Sequence, residues 1–166
     1  MNQEIAHEKI QQEFQSLREG LKTVQLATID ADGYPEASYA PYVWVEDACY
    51  LYLSELARHT INLTANPAIS LLLIESETKS KNLFARRRII LQGKVEKIAR
   101  KTDRFLITMS EFKKQFGDFI DVIEPLQDFH LFQIVPQSGR FIRGFAQAYE
   151  LTGVGLKQTR HIDPAK

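Results

Sequence analysis

Ile10, Phe14, Leu17 and Leu21 recur at intervals of three and four among Glu, Gln and Lys, with Gly20 as a stop. Residues 4–19 therefore read as an amphipathic helix with one apolar face. After Thr23 the pattern changes to short strand-like apolar runs. Residues 23–30 and 35–44 flank an Asp32-Gly33 pair, a strong hairpin signal because glycine accepts the positive φ such turns require. A turn at Glu46-Asp47 leads to a third run, residues 48–53. A fourth spans 68–74, a polar loop covers 75–82, and a long fifth run spans 84–98, with Gly93 marking a bulge or bend. Residues 102–112 place Phe105, Leu106, Met109 and Phe112 on one predicted helical face, and a short turn or helix is predicted within 116–123. Two further strands, 128–135 and 140–151, meet at a turn over 136–139. The tail from Thr152 reads as irregular. Seven strands and few helices predict a mainly β fold, a small antiparallel barrel rather than a doubly wound sheet. The domain layout is an N-terminal helix over 1–20, the barrel over 21–151 and the tail over 152–166.

Composition narrows the function classes. Lys+Arg and Asp+Glu both number 21, so there is no global charge with which to attract nucleic acid or a membrane surface. Cys49 is the only cysteine, which excludes an internal disulfide and a cysteine-built zinc site. The first residues lack the basic flank and apolar run of a signal peptide, and the longest apolar segment, around 68–74, is far short of the ~20 residues of a membrane span. A reducing cytoplasm is the expected compartment.

The richest chemistry lies in residues 54–67. Ser54, Arg58, His59, Thr60 and Asn62 crowd hydroxyl, guanidinium, imidazole and amide groups into one turn and helix. Ser54 is placed to cap that helix, whose N-terminus suits phosphate or carboxylate; an exposed polar helix face is the alternative. The run Arg86-Arg87-Arg88 opens the fifth strand, where alternation sends Arg86 and Arg88 to one face and Arg87 to the other. If that face meets the 54–62 turn, one anion site gains several bidentate donors; a charge-protected edge strand is the alternative. Of the four histidines, His7 reads as solvated and His130 as a surface partner of Asp128. His161 lies in the tail, where it is either free to swing over a bound group or simply disordered. No metal-ligand spacing, nucleophile elbow, phosphate-binding loop or dinucleotide fingerprint occurs, so any chemistry belongs to a bound cofactor.

Val24-Gln-Leu-Ala-Thr-Ile-Asp30, Ser38-Tyr-Ala-Pro41, Ala57-Arg-His-Thr-Ile-Asn-Leu63 with Asn66-Pro67, Leu83-Phe-Ala-Arg-Arg-Arg88, Leu126-Gln-Asp-Phe129 and Gly144-Phe-Ala-Gln-Ala-Tyr149 together resemble a known family. It is the FMN-binding split-barrel superfamily of the pyridoxamine 5'-phosphate oxidases, and within it the haem-utilisation branch of HugZ/HutZ type. The resemblance implies an antiparallel split β-barrel that forms a homodimer, with haem or FMN in a cleft at the subunit interface. For FMN it implies a phosphate held by Ser54, Arg58, Thr60 and Arg86. For haem it implies Arg88 near the haem or its oxygen ligand, His59 close by, and Asp128 orienting the iron's histidine ligand. That family histidine falls on Lys166 here, and His161 is the available substitute. Three activities follow from the likeness: haem degradation with O₂ and an electron donor (a reductase or small reductant), FMN-dependent oxidoreduction, or haem carriage without turnover.

Overall fold

Residues 2–162 are described in the computed structural model, with side chains from His7 onward. The chain runs α1 (Asn2–Glu19), β1 (Thr23–Ile29), β2 (Pro35–Val45), β3 (Ala48–Ser54), α2 (Arg58–Ala65), β4 (Ala68–Ile74), β5 (Arg88–Ile98), α3 (Asp103–Phe116), α4 (Phe119–Ile123), β6 (Phe129–Ile134), β7 (Ser138–Gly144), β8 (Gln147–Thr152) and β9 (Gln158–His161). The strand order is β4-β1-β2-β3-β6-β5-β7-β8-β9, and β4 also pairs with β5. Six strands therefore close a barrel, all neighbours antiparallel, and β7–β9 extend from it as a flap of sheet. The β1–β2 hairpin forms where Asp32-Gly33 predicts it: Asp30 Oδ1 accepts the N–H groups of Asp32 and Tyr34 at 3.0 and 2.8 Å, and Gly33 has φ 87°.

The split in the barrel lies in β5. One edge of β5 pairs with β4 from Arg88 to Lys94. The other edge pairs with β7 from Arg88 to Gln92 and then with β6 from Val95 to Ile98. Gly93 stands at the change of partner. It is a site of close approach rather than a bulge, for the β4–β5 register runs through it unbroken. A Cβ there would lie 3.1 Å from both the Ile134 side chain and the Val135 carbonyl oxygen. The strand starts at Arg88 and not at Phe84, because Asn82 Oδ1 accepts the Phe84 N–H at 3.0 Å and holds Leu83–Ala85 in a 3₁₀ turn.

Two cores result. The barrel interior is filled by Leu26, Leu51, Leu71, Leu73, Ile89, Leu91 and Phe141, and α1 lays Ile10, Phe14 and Leu17 over it. On the far side of β3 and β6, α3 and α4 cover Tyr50, Tyr52 and Leu131 with Phe105, Met109, Phe112 and Ile120. Residues 48–53 are buried without alternation because β3 lies between these two cores. The predicted α3 stripe is corrected at one position: Thr108 is buried and Leu106 is exposed. No described helix is long and apolar enough to cross a membrane.

The C-terminal third departs most from the sequence reading. The predicted strand 140–151 is two strands, β7 and β8, turned at Phe145-Ala146, where Ala146 takes φ 55° without the usual Gly or Asn. The described part of the tail is not irregular: Gly153 and Gly155, both at positive φ, fold β9 back onto β8. His7, expected to be solvated, contacts this strand through Nδ1 at 2.7 Å from Thr159 Oγ1, and Gln11 Nε2 donates to the Leu156 carbonyl at 3.1 Å. α1 is thus fastened to the β8–β9 segment.

Gly93→Val is expected to destabilise by about 1–3 kcal/mol through overpacking against β6, read as a lower denaturant midpoint at unchanged m-value. His7→Ala with Gln11→Ala is expected to speed amide exchange in β9 while leaving β1–β6 protected, since each lost bond contributes about 0.5–1.5 kcal/mol to a local rather than global opening.

Candidate functional site

The polar residues at 54–62 form two hydrogen-bonded groups. Ser54 does not cap α2. The helix starts at Arg58 with Ala57 at the cap position and no side-chain cap. Ser54 Oγ instead accepts the Leu56 N–H at 3.2 Å and donates to Asp128 Oδ2 at 2.9 Å. Arg58, mostly exposed, reaches Glu36 at 3.3 Å. On the inner side of the helix, Asn62 Nδ2 donates to Thr28 Oγ1 at 3.1 Å and Glu36 Oε2 at 2.9 Å, and His59 Nδ1 lies 3.0 Å from Ser38 Oγ. Burial pushes the His59 pKa down against the opposing pull of Glu36, so the imidazole is neutral at pH 7. Thr60 carries a buried hydroxyl with no hydrogen-bond partner among the described residues. It lines a cleft of about 510 Å³ with Glu55, Ile61, Thr64 and Ala65.

Asp128 immediately precedes β6. Its carbonyl accepts the Glu55 N–H at 2.8 Å, and its Oδ1 makes no hydrogen bond among the described residues. The expected Asp128–His130 pair does not form, because His130 is bound to Glu55.

The three arginines point to three different places. Arg86 precedes the strand, so alternation does not apply to it; its guanidinium is spent on the Glu75 carbonyl and on Glu77 at 3.3 Å. Arg87 and Glu75 are opposite one another, joined from Arg87 N and Nε to the carboxylate, both at 2.9 Å. Arg88 is opposite Ile74 and Ile142. That row is on the outer face of the sheet with Leu72 and Ile90 of the next row, and all five are only half-buried. Two predicted neighbours, Arg86 and Arg88, are therefore not a matched pair.

Nor do Arg88 and the α2 group meet within one chain. Asn62 is bonded to Thr28, whose neighbour Ala27 is opposite Ser70, whereas Arg88 is opposite Ile74. At ~3.4 Å per residue the two lie roughly 15 Å apart along the barrel. His161 is at the Arg88 end but in the next row, opposite Tyr149, which is opposite Phe141 and then Ile89. Paired residues share a face and successive residues alternate, so His161 belongs to the inner-face row and Arg88 to the outer. Its ring stacks edge-on to Tyr149 at 5.2 Å, and Nε2 lies 3.3 Å from the Ala146 carbonyl oxygen. Lys166 lies outside the described residues.

Sequence reasoning missed Glu36, Ser38, Glu55 and Glu75, which organise these groups. Glu36 and Ser38 were legible in principle, since residues two apart on β2 share a face. Glu75 and Glu55 become visible only through strand pairing. No cluster of metal-ligating side chains occurs among the described residues.

Comparison with known proteins agrees with this architecture. Residues 10–143 match the Pyridoxamine 5'-phosphate oxidase family. The chain is 37% identical over 167 residues to heme oxygenase HutZ of Vibrio cholerae, covering 98% of this chain and 95% of that protein. A crystal structure of V. cholerae HutZ, described as a heme storage protein, superposes with TM-score 0.76 at 38% identity, covering 82% of this chain and 96% of that one. Campylobacter jejuni ChuZ superposes with TM-score 0.86 at 31% identity, over 96% of this chain and 66% of that one. By fold, by the residues matched and by identity along nearly its whole length, the chain belongs to the pyridoxamine 5'-phosphate oxidase family of split barrels.

Proposed function

We propose that this protein binds haem in a cleft shared between two copies of the chain, and degrades it with O₂ and an electron donor. The observation that carries the reading is the 37% identity to heme oxygenase HutZ across 98% of this chain. Two features of the fold support it. The candidate residues fall into two groups at opposite ends of the barrel, and the outer face between them exposes apolar surface from Leu72, Ile74, Ile90, Ile142 and Tyr39. Such a patch suits a two-fold contact. An antiparallel two-fold pairing of this face would bring Arg88 of one copy to the α2 and Asp128 end of the other.

The residues fit a haem in their chemistry. Arg88 offers a guanidinium on a half-apolar face, suited to a propionate or a polar oxygen ligand. Asp128 has a free carboxylate oxygen with which to accept an imidazole N–H, and Ser54 holds its other oxygen in place. His59, neutral and buried beside Ser38, flanks the same end. Haem, when bound, supplies the iron at which O₂ is activated. His161 is the described residue proposed as its ligand, which requires β9 to turn its imidazole away from Tyr149. Electrons come from a separate reductase or small reductant.

FMN binding is the second reading. The uncapped N-terminus of α2, with the unpartnered Thr60 hydroxyl and exposed Arg58 beside it, supports a phosphate there. Ser54 and Arg86, the other two expected phosphate ligands, are engaged elsewhere. The descriptions of V. cholerae HutZ as both an oxygenase and a storage protein also support a non-catalytic alternative, in which haem is held without turnover.

Haem titration is expected to give a Soret band saturating near one haem per chain, altered in position or intensity in His161→Ala and Asp128→Asn. An unchanged spectrum in His161→Ala assigns the iron elsewhere, and no Soret shift in the wild type removes the haem reading. Loss of the Soret band under ascorbate and O₂, slowed at least ~10-fold in Arg88→Gln, distinguishes degradation from storage. Quenching of FMN fluorescence by the protein without haem would favour the second reading. By sedimentation the wild type is expected to be a dimer, and Leu72→Glu with Ile90→Glu a monomer, since both charges would be placed in the apolar contact.

A further inference from the structure

The arginine run contributes to a second cleft, on the side of the sheet away from Arg88. Glu75 and Arg87 are opposite each other one step beyond the Ile74–Arg88–Ile142 row, and Arg143 follows Ile142 on β7. Glu75 and Arg87 therefore lie on the inner side at the end of the barrel, and Arg143, at a bulge in β7, reaches the same side, where it bonds Glu13 of α1. With Lys79, Ser80, Lys81, Asn82 and Ala85 they line a cleft of about 330 Å³, at the small end of the range for ligand sites.

Its charge is one-sided. Four cations line it and Glu75 is the single acid. Both Glu75 oxygens are occupied: Oε1 accepts the Arg87 backbone N–H and Oε2 its Nε, each at 2.9 Å. Burial alone would raise the Glu75 pKa, but these bonds, the Arg87 charge and the Ser80 hydroxyl hold it below its ordinary value. Glu75 thus stays an anion whose hydrogen-bonding capacity is turned to Arg87, which it fixes in place. Arg87 keeps both Nη groups free of partners among the described residues. Arg143 donates through Nη2 to Glu13 of α1 at 2.7 Å and likewise keeps Nε and Nη1. Setting each arginine against its glutamate leaves Lys79 and Lys81, neither of which has an acid within ion-pair distance among the described residues. Two fixed guanidiniums and two free ammonium groups around one small cleft, in a chain with no net charge, have no structural partner that requires them all.

We propose that this cleft is a binding site for a phosphate group, with Arg87 and Arg143 as fixed donors and Lys79 and Lys81 closing on the anion from the loop between β4 and β5. A dianion matches the charge of the two lysines left over, and a tetrahedral oxyanion accepts donors arriving from several directions, whereas a carboxylate offers one edge. The site is separate from the proposed haem cleft, because Arg87 is bonded to buried Glu75 whereas Arg88 lies in the outer-face row with Ile74 and Ile142.

Calorimetric titration of the protein as purified with inorganic phosphate at low ionic strength tests this. One saturable site per chain is expected, weakened at least ~10-fold in Lys79→Gln/Lys81→Gln, whose exposed side chains make no bond the fold needs. Arg88→Gln is expected to bind phosphate as the wild type does. Adenosine 2'-monophosphate is run in parallel: tighter binding than phosphate assigns a nucleotide-borne group, and equal or weaker binding assigns free phosphate. Absence of saturable heat up to about 10 mM phosphate, an unchanged affinity in the double lysine variant, or an equal loss in Arg88→Gln overturns the proposal.

Discussion

The fold depends on β5 pairing with three strands. Hydrogen bonding from β5 to β4 closes the barrel, while its other edge is divided between β7 and β6. A strand with an ordinary side chain at the point of division would push Ile134 and the Val135 carbonyl away. Gly93 permits the approach, and the closure follows. The closed ring gives α1 a continuous interior to cover and the β7–β9 flap the edge on which it is built.

That geometry also sets where chemistry can occur. Because β5 begins at Arg88, the arginine run meets the sheet at its first paired residue, and each of the three guanidiniums has a different surrounding. Arg86 ties down the 75–88 loop, Arg87 locks to buried Glu75, and Arg88 alone lies on the half-apolar outer face. At the other end of the barrel, α2 is anchored to the β1–β2 hairpin by Asn62 and His59, with buried polar atoms satisfied by Thr28, Glu36 and Ser38. Rigid placement of both ends, with about four residues of strand between them, makes a single chain unsuited to grip one ligand with both groups. The proposed site shared between two copies would resolve that separation without any change in either chain.

The same register governs β8 and β9. Tyr149, His161 and Thr159 are ordered because β8 and β9 extend the inner and outer rows begun by β5 and β7. α1 then contacts the last strand through His7 and Gln11, so a helix that covers the core also holds the C-terminal strand.

Local pattern alone determined the α1 stripe, the Asp-Gly hairpin, strands β1–β4, the helix over 102–112 and the polar character of 54–62, since each is read from the spacing of residues close in the chain. It also carried the family likeness. Tertiary structure decided what depends on distant partners. Asp128 takes Ser54 from helix capping, Glu55 takes His130 from Asp128, and Ala146 accepts a positive φ because β7 and β8 pair on either side. β9 exists because β8 offers an edge. Most of all, which face each arginine takes was set by where pairing begins, a one-residue choice that reverses every side chain beyond it. The sequence shows three guanidiniums in a row; only the ladder of hydrogen bonds sends them to three different places.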